Sequence, residues 1–132
     1  PRLFPWDFRP GNVVVTGSDA SVAAVLDWGD PLAAAPALSL AKTTFLVADW
    51  YAAGETVDRL REAVRAGYRE RRPLPATGDR VRSLYRLAAI VASAVDSRGR
   101  VTRPRYPMVE EREAVAFHRE RLTALLARLD GD

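Results

Sequence analysis

The chain has 132 residues, 48% of them apolar and 28% charged, with 20 basic and 17 acidic side chains giving a formal net charge of +3. That length and apolar content suit one folded domain and exclude a disordered chain. The most apolar stretch, residues 31–53, is interrupted by Pro36, Lys42 and Asp49, so a membrane span is not expected. Cysteine is absent, as is any targeting stretch, which is compatible with a cytoplasmic protein, and a single histidine, His118, makes a zinc site improbable.

Val13 to Thr16 is a β-branched run, followed by Gly17-Ser18-Asp19 and a second short apolar run over 22–26; this pattern predicts a hairpin. Apolar residues then cover nearly every face from Leu38 onward, which predicts a surrounded helix over 38–52, ended by Gly54. Val57, Leu60, Val64 and Tyr68 predict an amphipathic helix broken by Pro73-Leu74-Pro75. A third helix, capped by Thr77 or Asp79, is expected to bury Val81, Leu84, Tyr85, Ala88, Val91, Ala92 and Val95. Residues 96–105 read as a basic loop carrying Arg98, Arg100, Arg103 and Arg105. Pro107 is expected in the first turn of a last helix that buries Val115, Leu122, Leu125, Leu126 and Leu129. His118 is expected to be solvated, and Trp28 and Trp50 to be core residues. The fold class is therefore mainly α with a small β-hairpin, as one domain over 1–132 in which 1–30 carries the loop and hairpin and 36–132 is helical.

The chemistry concentrates near the start. Asp7 precedes Asn12 by five residues, and Asp27-Trp28-Gly29 follows Asn12 after the predicted hairpin. These spacings are those of a kinase catalytic loop and its metal-binding triplet. Phosphoryl transfer gathers negative charge on the moving group, so it requires a carboxylate aimed at the nucleophile and hard oxygen ligands for magnesium. Asp7 is the candidate catalytic base. Asn12 and Asp27 are the candidate metal and cofactor ligands, and Arg9 is a possible loop support or substrate contact. Asp30 is a candidate for an auxiliary role or for a helix or turn cap.

The wording Asp-Phe-Arg-Pro-Gly-Asn-Val-Val-Val at 7–15, Val-Leu-Asp-Trp-Gly-Asp-Pro at 25–31 and Pro-Ala-Leu-Ser-Leu-Ala at 36–41 resembles the aminoglycoside phosphotransferase family of small-molecule kinases. The resemblance is close over roughly the first fifty residues and general beyond them. It implies the carboxy-terminal lobe portion of a protein-kinase-like fold, with ATP and Mg2+ as cofactors. It also implies a small hydroxyl compound as acceptor: an antibiotic, an amino alcohol or a sugar. It further implies that the amino-terminal lobe, with the phosphate-binding lysine and the adenine hinge, lies upstream of Pro1. An apolar patch at Phe4, Trp6 and Phe8 is then expected to be exposed where that lobe would pack.

Three positions depart from the family's pattern. Pro5 stands where it has histidine, and Ala35 and Ser39 stand where it has aspartates; the Ser39 aspartate helps to anchor the catalytic loop. None of the three is the base or a metal ligand, so the departures touch the loop's support. Two further readings stay open. One is a catalytically degenerate nucleotide-binding or interaction module. The other is a helical adaptor that uses the arginines of 98–105, although nucleic acid is an unlikely partner for a balance of only +3.

Overall fold

The structure is a computed structural model that describes residues 1–52, 54–104 and 108–131. Two compact units divide the chain, Pro1–Pro75 and Ala76–Asp132. The division follows the Pro73-Leu74-Pro75 breaker, where proline geometry stops a helix, and does not follow the expected join between 30 and 36.

The first unit contains two antiparallel sheets of two strands each, where one hairpin was expected. Strand β1 (Arg2–Pro5) pairs with β4 (Pro31–Ala34), in the register Leu3 to Ala33 and Phe4 to Leu32. Strand β2 (Val13–Thr16) pairs with β3 (Ser21–Val25). The register of the second pair slips after Val14, which pairs with Ala24 while Val15 pairs with Val22, leaving Ala23 as the extra residue of a bulge. Its turn has Gly17 and Ala20 at positive φ, 75° and 54°. The β1–β4 pairing escaped sequence reading because its strands are 25 residues apart and only four residues long, too short for an alternation to register.

Helix α1 spans Pro36–Thr44, with Pro36 at its first turn, and then widens into a π turn, Phe45–Asp49. The expected continuous helix over 38–52 is thus cut short. The Thr44 hydroxyl donates to the Leu40 carbonyl at 2.7 Å, a back-bond that bends helices, and the β-branched pair Thr43-Thr44 disfavours a regular continuation. Phe45, Leu46, Ala48 and Asp49 are all buried in the π turn. The chain then leaves through Tyr51 at φ 52°. Gly54, at φ 65°, does not end this helix; it is the N-cap of the next one.

Helix α2 (Glu55–Arg69) half-buries the expected face of Val57, Leu60, Val64 and Tyr68. Arg61, on that face, reaches the buried Asp49 carboxylate at 2.7 Å and ties α2 to the π turn. Phe4 is buried, and Trp6 and Phe8 are half-buried, so the exposed aromatic patch is not found. Phe4 and Phe8 instead line an apolar groove with Leu60, Val64 and Tyr68.

The second unit pairs helix α3 (Asp79–Ala94) with helix α4 (Glu111–Asp130). The N-cap of α3 is Gly78, not Thr77 or Asp79. Its buried residues are Ala89, Ile90 and Ser93; of the expected face Tyr85 is half-buried, while Val81, Leu84, Ala88, Val91 and Ala92, and Val95 just past the helix, are exposed. The buried side sets two small residues, Ala89 and Ser93, beside Ile90. Helix α4 buries Ala114, His118, Leu125 and Leu129, whereas Val115 and Leu126 are exposed. Its start is a capping box between Glu110 and Glu113. Pro107, expected in its first turn, and Arg105 lie outside the described residues. Between the helices, Asp96 accepts the amides of Arg98 and Arg100, and Val95 bridges Val101.

No helix among the described residues is long and apolar enough to cross a membrane.

Candidate functional site

The loop over 6–12 leaves β1 at Pro5 and closes in a short 3-10 turn, Pro10–Asn12. Arg9 is extended, with φ −138° and ψ 164°, as a residue before proline must be, and its carbonyl accepts the Asn12 amide at 2.9 Å. That turn carries the Asn12 side chain back across the loop. Its Nδ2 donates to the Asp7 carbonyl at 2.8 Å and lies 3.4 Å from Asp7 Oδ2. Arg9 Nη2 meets the same Oδ2 at 3.0 Å. Both contacts fall on one carboxylate oxygen, and the Asp7 side chain is 36% exposed.

Asp27 is held to this loop through the backbone. The Leu26 amide donates to the Asn12 carbonyl at 2.8 Å, and Val13 pairs with Val25, so the residue after β3 follows directly from the end of the loop. Asp27 then takes φ 59°, a left-handed conformation that aspartate tolerates better than most residues, and turns the chain from β3 toward β4. Its Oδ1 lies 3.6 Å from where a β-carbon on Gly29 would sit. Asp27 is exposed, and so are Asp30 and Trp28. Trp28 is therefore not a core residue; its indole donates to the Val25 carbonyl at 3.0 Å.

The donor set suits a hard cation. Because Asn12 commits its amide nitrogen to Asp7, its carbonyl oxygen is the end that could hold a metal, with the Asp27 carboxylate as the second candidate ligand. Among the described residues, no three of His, Cys, Asp and Glu gather at one place. One carboxylate and one amide match magnesium, which commonly takes one or two protein oxygens and fills its remaining positions with water and phosphate.

Sequence reading missed Lys42. It is 3% exposed, and its Nζ lies 4.6 Å from the centre of the Trp6 ring, within reach of a cation–π contact. Burial pushes its pKa down to about 8, with Asp7 pulling it up and Arg9 pushing it down. A signal was available: Lys42 is the sole charged residue between Asp30 and Asp49, in a helix expected to be surrounded by protein.

His118 is not solvated. It is 3% exposed, its Nε2 lies 3.2 Å from the Thr102 carbonyl, and its ring meets Phe117 edge-on. Burial lowers its pKa below the ordinary 6.5, while the Thr102 carbonyl opposes that shift. It belongs to the second unit, as do Arg98, Arg100 and Arg103, whereas Asp7, Asn12, Asp27 and Lys42 all belong to the first.

The chain matches no protein-family model, no curated protein and no solved structure.

Proposed function

We propose that this chain is the catalytic-loop portion of an ATP- and magnesium-dependent phosphotransferase that phosphorylates a hydroxyl of a small molecule, similar to the aminoglycoside phosphotransferases. The observation that carries this reading is the link from Asp7 to Asn12 to Asp27: a side-chain bond within the loop and a backbone bond from Asn12 to the residue before Asp27. Three residue types that are separately common are thereby joined in the order that kinase chemistry uses.

In this reading, a carboxylate oxygen of Asp7 accepts the proton of the acceptor hydroxyl as its oxygen attacks the terminal phosphorus and the bond to the nucleoside diphosphate breaks. Asn12 restrains Asp7 through its amide nitrogen and offers its carbonyl oxygen, with the Asp27 carboxylate, to magnesium. Magnesium-bound nucleotide supplies the phosphoryl group and offsets the charge that develops on it. Arg9 steadies Asp7 from a half-exposed position and is close enough to the loop to meet an anionic oxygen of the substrate. The family resembled closes its nucleotide site with an amino-terminal lobe, so the assay belongs in the full-length protein. Work on ATP, in a chain without cysteine, suits the cytoplasm.

The test is ATP turnover against a panel of hydroxyl acceptors, beside nucleotide titration with and without magnesium. Turnover that requires Asp7, and magnesium-dependent nucleotide binding that requires Asp27, support the reading. Magnesium-dependent binding with no turnover for any acceptor would favour the degenerate module that Pro5, Ala35 and Ser39 suggest.

A further inference from the structure

A lysine on an interior helix face is costly unless its charge is used, because an ammonium moved out of water loses hydration that apolar neighbours cannot replace. Lys42 is such a residue. The π turn that follows buries Phe45, Leu46 and Ala48, and the Lys42 ammonium sits on the face of Trp6. Asp7 and Arg9, whose charges act on it, both come from the loop over 6–12. Its sequence position adds a second observation. Ser39 lies one helical turn before Lys42, and Ser39 and Pro5 stand together along the apolar groove. Both of these positions are uncharged, and the buried charge of α1 lies one turn beyond Ser39.

We propose that Lys42 is a positioning residue for the catalytic loop: its ammonium, seated on the Trp6 ring, holds the residue that precedes Asp7. The proposal rests on the phosphotransferase reading for its catalytic consequence, but its mechanical part stands on Trp6 and Lys42 alone. The side chain is too deeply buried to touch a substrate, so its influence passes through the loop. Trp6 presents its negative ring face to the ammonium, and its own ring lies 6.0 Å from that of the buried Phe4, which anchors it to β1. Holding Trp6 restrains the chain at Asp7, whose carboxylate Asn12 and Arg9 also meet.

Hydrogen exchange of the full-length protein without nucleotide reads the loop directly. In Lys42→Met, which keeps length and apolar character, the amides of residues 7–9, 11 and 12 should exchange about three- to thirtyfold faster, with those of α3 and α4 unchanged. Turnover should fall by about tenfold or more through kcat, with KM for ATP little changed, because the defect is in orientation. A merely structural lysine would instead leave loop exchange as it is in the wild type, and that result overturns the proposal. Should Lys42→Met fail to fold, Trp6→Leu removes the seat and keeps the charge. Faster loop exchange in that variant supports the proposal, and unchanged exchange overturns it. A wild-type protein that phosphorylates no acceptor overturns the phosphotransferase reading alone, since the exchange measurement needs neither ATP nor acceptor.

Discussion

Among the described residues, each unit buries one basic side chain to the same 3% exposure, Lys42 in the first and His118 in the second, and their surroundings differ. His118 can be buried neutral: its ring packs against Phe117, its Nε2 meets a backbone carbonyl, and burial lowers its pKa toward the uncharged form. Lys42, with a pKa of about 8, is still mostly charged at neutral pH, and its surroundings are an aromatic face, a carboxylate and a guanidinium that belong to a loop. Burial alone therefore does not mark a functional group. What separates the two is whether the neighbours accept a neutral ring or require a charge.

If the first unit holds chemistry and the second holds packing, substitutions in the two should separate activity from stability. The largest effect expected is in Asp7→Asn, which keeps the shape and removes the base: phosphoryl transfer in the full-length protein should fall about 100- to 10,000-fold, with nucleotide affinity and the unfolding midpoint little changed. A variant with wild-type turnover would break the assignment. The converse is Leu125→Ala in α4. Leu125 is 5% exposed, and truncating it should cost about 2–4 kcal/mol in denaturant unfolding while leaving kcat per folded molecule as it was. A loss of kcat there would mean that the two units are not functionally separate.

His118 sharpens the comparison through pH. Its folded pKa lies below its unfolded value of 6.5, so the folded state binds fewer protons in the window below that value. The stability that comes from burying the neutral ring is complete above pH 6.5 and is lost as the pH falls toward the folded pKa. Unfolding followed from pH 7.5 down to 5 should show this decline, and His118→Gln should flatten it. An equal slope in both proteins would show that the ring does not titrate in the folded unit. The smallest effect belongs to the helix end. Glu110→Ala removes one half of the capping box and should cost about 0.5–1 kcal/mol, with activity unaffected.

Much of the first unit was legible because its signals are local. Pro10-Gly11-Asn12 dictates a tight turn, a β-branched run followed by Gly17 dictates a hairpin, and apolar residues at helical spacing from Val57 to Tyr68 dictate the face of α2. The spacing of Asp7, Asn12 and Asp27 was equally plain, and the backbone brings Asp27 to the end of the hairpin beside Asn12. The second unit was read less well. Every apolar residue of α3 assigned to the core by periodicity belongs to a stripe centred on Leu84, Val91 and Val95, yet the buried side is Ala89, Ile90 and Ser93. Periodicity finds a helix's faces but does not say which of them a partner will cover.

By itself, the sequence determined the chemical types available and their order: a carboxylate, an amide and a second carboxylate about a turn and a hairpin, with a lone lysine in an apolar helix. Those properties follow from short-range geometry, in which a few residues and their φ preferences leave little choice. Tertiary structure alone decided that β1 meets β4, that α1 widens after Thr44 to carry Asp49 inward to Arg61, and that Lys42 lies under Trp6. Each of these joins residues that are distant in the chain, and the energy that selects them comes from burying surface and pairing charges between elements, which no local pattern encodes.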